Sequence, residues 1–281
     1  MGNSRPNIDS LAAGALLNDG SRMPWVGLGA YRIAAGAACM RAVTHALSVG
    51  YRHIDTAAFY GNEEDVGRAV RESGVPREQV FVVTKLWNSD QGYARAIKAC
   101  DASLARLKVD YLDLYLIHWP EPGRRLDSWR ALVDLRRQGK CRSIGVSNYT
   151  IAHLEELMAR SDIVPAVNQV EFSPFLFQRD LLDFCRARGI QLEAYCPLTR
   201  GEKLDDPALG AVARRHGKTA AQVLLRWALQ HQVVVIPKSA RPARIEENSR
   251  LFDFVLDERD MAALDALHAD YRTCWDPTRV A

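Results

Sequence analysis

Asp55, Tyr60, Lys85 and His118 have the side-chain types needed to deliver a proton to a developing alkoxide. A tyrosine hydroxyl has an ordinary pKa near ~10, too high for easy proton exchange at neutral pH. A lysine ammonium close by favours the phenolate, and a carboxylate can hold that lysine in place and keep it charged. A neutral imidazole can orient a carbonyl oxygen beside the phenol. Together the four make a proton donor for an oxygen that becomes an alkoxide. None of them is an electrophile or a hydride source, so the set requires a cofactor. Singly, each has an ordinary structural reading. An Asp after a strand is a turn former or helix cap, a Lys is usually solvated, and His118 beside Trp119-Pro120 reads as a satisfied core histidine.

What joins them is position, because each lies at or just after the end of a short apolar stretch. Residues 50–64 read as a strand running into Asp55, a loop carrying Tyr60 and Gly61, and a helix opening at Asn62. Further strands are expected at 25–29, 80–85, 112–118, 143–146, 165–169, 191–195 and 233–236. Helical spacing marks 37–48, 63–72, 93–107, 126–138, 151–159, 178–187, a pair on either side of Gly217, 242–250 and 258–267. Leu16 to Met23 reads as a hairpin, with Asp19-Gly20 as a type I′ turn. Short apolar strands alternating with helices indicate an α/β protein with a covered parallel sheet. Eight such units in 281 residues favour a closed (β/α)8 TIM barrel, with an N-terminal β-hairpin and a short C-terminal tail through Trp275 and Pro277. No linker, repeat or low-complexity segment divides the chain, so residues 1–281 are expected to form a single domain.

Such barrels carry their chemistry at the C-terminal ends of the strands. The polar residues ending these strands are Asp55, Lys85, His118, Ser147-Asn148, Gln169, Tyr195 and Lys238-Ser239. Lys238, Ser239 and Arg244 lie just before or within the first turn of an expected helix, where free N–H groups favour anions. Arginine adds a planar fork suited to phosphate, and the eighth strand of a barrel often holds one.

The stretch Gly50 to Glu64, Lys85-Leu86-Trp87, His118-Trp119-Pro120, Gly145-Val146-Ser147-Asn148 and Ile236-Pro237-Lys238-Ser239 together resemble the aldo-keto reductase superfamily. The likeness runs from about Val26 to Pro277. The short connection Glu121 to Asp127 and the tail Trp275-Asp276-Pro277-Thr278 are most similar to the bacterial 2,5-diketo-gluconate reductase-like branch. The resemblance implies a (β/α)8 barrel that transfers hydride from NADPH to aldehydes and ketones. It implies Tyr60 as general acid, supported by Lys85 and Asp55, with His118 orienting the carbonyl. It implies that Ser147, Asn148 and Gln169 hold the nicotinamide carboxamide and that Tyr195 stacks on the ring. Lys238, Ser239 and Arg244 match the site for the adenosine 2′-phosphate, and Glu247 and Asn248 the adenine contacts. Cys196-Pro197-Leu198 departs from the commoner Ser-Pro-Leu, leaving the Leu198 backbone for the pyrophosphate. Tyr31, Trp87, Trp119 and Trp275, with His118, are expected to line the substrate pocket, which the short loop after His118 leaves open.

Several other classes fit poorly. A formal charge of +3, with Lys and Arg interleaved among Asp and Glu, gives no basic stripe for nucleic acid. Six scattered cysteines argue for reduced thiols, and neither a disulfide framework nor a zinc site is expected. Met1 to Pro6 lacks a signal-peptide run, and no segment approaches the ~20 apolar residues of a membrane span. A monomer in the cytoplasm, acting on a small carbonyl compound, is the expectation. Gly27-Leu28-Gly29 is only a fragment of a glycine-rich phosphate loop, and Gly145-Val146-Ser147-Asn148 does not complete a G-x-S-x-G elbow. A metal-dependent barrel hydrolase would need more ligands than Asp55 and His118 supply. A regulatory protein built on a reductase barrel is a further alternative, but all four proton-transfer positions are filled.

Overall fold

Eight parallel strands curl into one sheet in the computed structural model, which describes residues 8–280. Met1 to Pro6 lies outside them. Before the sheet comes a hairpin of β1 (Gly14–Leu16) and β2 (Arg22–Pro24), with Ala15 opposite Met23. The barrel strands are β3 (Leu28–Gly29), β4 (His53–Asp55), β5 (Phe81–Leu86), β6 (Leu112–Ile117), β7 (Cys141–Ser147), β8 (Val167–Glu171), β9 (Gln191–Tyr195) and β10 (Val234–Val235). Each pairs with the next in chain order. The ring closes where Val26 bridges Val235 in parallel, with Gly27 N donating to Val235 O at 2.8 Å and Val235 N to Trp25 O at 3.0 Å. The expected (β/α)8 barrel is therefore the observed fold.

Helices α1 (Ala37–Ser48), α2 (Glu63–Glu72), α3 (Tyr93–Leu107), α4 (Arg125–Arg137), α5 (Ile151–Met158) and α6 (Arg179–Ala187) follow successive strands. Two helices, α7 (Pro207–His216) and α8 (Ala220–Gln230), follow β9, and α9 (Pro242–Ser249) and α10 (Glu258–Asp265) follow β10. Buried on both faces, β5 and β6 read as nearly unbroken apolar runs. At the seam the strands are shorter than expected, because pairing there runs through separate bonds such as Gly29 N to Pro237 O at 3.2 Å. Glycine permits that approach: a Cβ on Gly29 would stand 2.8 Å from Ile236 O. Gly145 has a similar reason, since its Cβ would meet Val167 O at 2.5 Å.

The hairpin turn is not type I′. That turn needs positive φ at both central residues, and only Gly20, at 91°, has it. Asp19 Oδ1 instead accepts from Ser21 N at 3.0 Å, and Leu17 N donates to Ser21 O at 2.9 Å, closing a longer loop.

Candidate active site

The ends of β4, β5 and β6 bring Asp55, Lys85 and His118 to one rim, and the short 3-10 turn Ala58–Tyr60 delivers Tyr60 to it. Lys85, only 1% exposed, donates to Asp55 Oδ1 at 2.6 Å, Asp55 Oδ2 at 2.8 Å and Thr56 O at 2.9 Å. Its ammonium also lies 3.3 Å from the Tyr60 hydroxyl. A bond of Asn62 to the backbone fixes the loop that holds Tyr60. Its Nδ2 donates to Ala30 O at 3.0 Å and its Oδ1 accepts from Thr56 Oγ1 at 2.6 Å, so the side chain does not cap α2.

The electrostatics depart from the expectation in one respect. Tyr60 sits well above the ordinary tyrosine value, pushed up first by burial and then by the Asp55 carboxylate. The Lys85 charge is paired with the Asp55 carboxylate, whose own charge acts on the phenol in the opposite sense. Burial also raises Asp55, against the Lys85 ion pair and the Gln169 hydrogen bond. The phenol therefore rests protonated, as a donor. Burial, followed by the Lys85 charge, holds His118 well below 6.5, so its imidazole is neutral. Aromatic rings fix that imidazole: Tyr60 lies 5.7 Å away edge-on, Trp87 5.1 Å and Phe59 6.5 Å between ring centres. His118 Nδ1 is buried without a hydrogen-bond partner among the described residues, so the histidine is not a satisfied core residue.

Beneath the rim runs a second polar layer. Gln169 Nε2 donates both to Asp55 Oδ2 at 2.9 Å and to Glu193 Oε2 at 2.8 Å. Glu193 Oε1 stands 3.3 Å from His53 Nε2, and both residues are fully buried. Burial, then the Asp55 charge, pushes Glu193 up to about 8, and burial takes His53 down to about 3. The pair is therefore a neutral acid beside a neutral imidazole, with Glu193 Oε1 and His53 Nε2 making no hydrogen bond among the described residues and His53 Nδ1 turned toward Pro24 O at 3.4 Å. Neutrality removes the cost of burying two unshielded charges.

Ser147, Asn148 and Tyr195 are tied together. Ser147 Oγ donates to Gln169 O at 2.8 Å and accepts from Asn148 Nδ2 at 3.1 Å. Asn148 Nδ2 also reaches His118 O at 2.9 Å, and the Tyr195 hydroxyl donates to Asn148 Oδ1 at 2.7 Å. The Tyr195 ring is thus held by its hydroxyl. Leu198 is half-buried in the following loop, where Cys196, Thr199 and Arg200 all have positive φ.

At the start of α9, Lys238, Arg241 and Arg244 are exposed and make no ion pair among the described residues. Ser239 is buried, its Oγ accepting from Arg241 N at 3.1 Å, and α9 has no side-chain cap. Glu247 is drawn aside, accepting from Thr219 Oγ1 at 2.8 Å, while Asn248 is buried nearby.

Aromatic residues wall the mouth. Tyr31 lies 4.9 Å from Tyr60, and Trp119 lies 5.6 Å from Trp275, whose ring is 67% exposed. Phe59 stacks on Trp87 at 3.8 Å, a wall residue not anticipated from sequence although it adjoins Tyr60. Glu171, at the end of β8, was also unanticipated, and it anchors the tail by accepting from Thr273 N at 2.7 Å and Cys274 N at 3.1 Å. Strand periodicity carried a signal for the polar interior. Residues two apart share a face, which pairs His53 with Asp55, Gln169 with Glu171 and Glu193 with Tyr195.

A sequence model described as the aldo/keto reductase family matches residues 26–269. The glyoxal reductase of Bacillus subtilis (strain 168) is 51% identical over 93% of this chain and 95% of its own length. A crystal structure of an aldo/keto reductase from Brucella melitensis, 46% identical, superposes with a TM-score of 0.88 over 91% of this chain and 99% of its own. The Bombyx mori aldo-keto reductase, solved in complex with NADP, is 38% identical with a TM-score of 0.87, covering 93% of this chain and 94% of that one. This chain belongs to the aldo/keto reductase family. It is an oxidoreductase of the carbonyl-reducing class.

Proposed function

We propose that the protein reduces aldehydes or ketones, including α-keto or diketo compounds, to alcohols, with NADPH as coenzyme and Tyr60 as general acid. The observation that carries this reading is the Lys85 ammonium, which joins the Asp55 carboxylate to the Tyr60 hydroxyl. The residues present fit the coenzyme. Ser147 and Asn148, tied to each other and to Tyr195, would hold the nicotinamide carboxamide together with Gln169, whose Nε2 is also bound to Asp55 and Glu193. The exposed Lys238 and Arg244, with the Ser239 hydroxyl, offer charge-assisted bonds to a 2′-phosphate, Leu198 the pyrophosphate contact, and Glu247 and Asn248 the adenine contacts. A relative solved with NADP supports the choice. When bound, NADPH supplies the hydride.

The protein's own groups prepare the carbonyl. Neutral His118 donates to its oxygen, and the Tyr60 hydroxyl donates beside it. As negative charge gathers on that oxygen, the phenol gives up its proton. The alkoxide that forms is a strong base, its conjugate acid lying near the ~15.7 of water, and the phenol beside it is the proton source. Lys85 then stabilises the phenolate, and Asp55 holds Lys85 in place. Tyr31, Trp87, His118, Trp119 and Trp275 line the substrate pocket, excluding water and favouring compact apolar or planar carbonyl compounds.

No helix of the described residues is long and apolar enough to cross a membrane. We read residues 1–281 as one domain acting as a monomer in the cytoplasm, with a small molecule as its partner. The test is oxidation of NADPH measured against a panel of aldehydes, α-keto compounds and diketo sugars. Turnover with at least one class is expected, and none with any of them would overturn the reading.

A further inference from the structure

Two cysteines meet at the barrel mouth in a way that carbonyl reduction does not require. Cys196 follows Tyr195 at the end of β9, and Cys274 lies in the C-terminal tail, with their Sγ atoms 3.8 Å apart. Both are partly accessible. Arg200 Nη2 lies 2.9 Å from Cys274 Sγ. The Glu171 carboxylate accepts from Thr273 N, Thr273 Oγ1 and Cys274 N, which holds the tail against the barrel. Cys196 itself has a φ of 47°, and Thr199 and Arg200 share that left-handed region. A loop with three such residues is held in shape by its surroundings.

We propose that Cys196 and Cys274 form a dithiol oxidation site, which a hydroperoxide converts into a disulfide joining the tail to the loop after β9. In the first step the Cys274 thiolate attacks a peroxide oxygen. An S–O bond forms, the O–O bond breaks, and the departing hydroxide or alkoxide takes a proton from water. In the second step the Cys196 sulfur attacks the Cys274 sulfenic acid. The S–S bond forms, the S–O bond breaks, and hydroxide leaves with the thiol proton as water. The two sulfurs together lose two electrons, and the peroxide gains them.

The division of labour follows from the surroundings. A hydrogen bond from the Cys196 thiol brings Cys274 down to about 7, with Arg200 and Thr273 assisting against burial and the Glu171 charge. The same bond, followed by burial, pushes Cys196 up. Thiolate is the nucleophile, so Cys274 reacts first and Cys196 resolves. Closing from 3.8 Å to a disulfide needs roughly 1.8 Å of approach. Cys100 and Cys141 also stand 3.8 Å apart, but both are buried, and the hydrogen bond with Cys100, followed by burial, holds Cys141 well above its ordinary value. That pair is an internal control. Bridging Cys196 to Cys274 fixes the tail beside Trp119, against which Trp275 packs.

The experiment treats the reduced full-length protein with a small excess of hydrogen peroxide, counts free thiols, and maps peptides without reduction. Two of the six thiols should be lost, in a peptide pair joined through Cys196 and Cys274, and dithiothreitol should restore them. Cys196→Ser should stop at a Cys274 sulfenic acid, captured by a cyclic 1,3-diketone. Cys274→Ser should lose thiols at least about 10-fold more slowly, having lost the site of the reactive thiolate. Absence of the joined peptide in the wild type, or unchanged thiol loss in Cys274→Ser, would overturn the proposal. These readouts are independent of the reductase reading.

Discussion

Lys85 stands 3.3 Å from the Tyr60 hydroxyl while making two shorter contacts to Asp55, at 2.6 and 2.8 Å. The lysine is therefore oriented by the carboxylate and only grazes the phenol at rest. With the phenol pushed up by burial and by Asp55, the site waits as a protonated donor. The lysine's contribution grows only when a phenolate begins to form. That is the differential stabilisation catalysis requires.

Removing Lys85 should damage the fold as well as the chemistry. Lys85→Met leaves the Asp55 carboxylate buried beside Gln169 without its cation. Breaking such a pair from one side costs about 3–5 kcal/mol. Urea unfolding should show that loss, and Asp55→Asn combined with Lys85→Met should recover part of it. A double variant no more stable than the single would refute the account of the pair.

Glu193 gives a pH signature. Its pKa rises from 4.5 to about 8 on folding, so between those values the folded protein binds the extra proton. Its contribution to stability is present below about 4.5 and is lost as pH rises through 8, by at most about 1.4 kcal/mol per pH unit. Glu193→Gln keeps the shape and removes that slope. The variant should gain on the wild type steadily from pH 5 to 8 in thermal unfolding, whereas parallel curves would exclude a protonated Glu193.

His118, held well below 6.5, stays neutral through the working pH range. The pH profile of kcat/KM should carry no limb near 6.5 that disappears in His118→Asn. Finding such a limb would mean that the imidazolium, not the imidazole, faces the carbonyl.

Arg244 is exposed and free of ion pairs among the described residues. Arg244→Ala should raise KM for NADPH by ten-fold or more, about 1.5–3 kcal/mol for charge-assisted bonds, while leaving that for NADH nearly unchanged. Equal losses with both would remove Arg244 from the 2′-phosphate.

The barrel was legible because strand and helix periods alternate without interruption, and α1, α2 and α3 begin and end where their sequence spacing places them. The rim residues were legible because barrel topology gathers strand ends. Local sequence did not reveal what depends on contact across the barrel. Asn62 looked like a helix start, yet its side chain turns away to tie Ala30 to Thr56. Glu193 and His53 lie 140 positions apart in the chain and meet only inside the closed sheet. The direction of the Tyr60 shift is hidden from local sequence for a similar reason. Pairing rules weigh the lysine charge, whereas burial is a property of the whole fold.

The central claim is that the Tyr60 hydroxyl donates the proton. Its most direct test is Tyr60→Phe, assayed for NADPH-dependent carbonyl reduction and, separately, for NADPH binding by fluorescence titration. The account predicts a fall in kcat of about 10²–10⁴-fold, the usual worth of a general acid, with binding changed little. Turnover near that of the wild type, with coenzyme bound normally, would contradict it.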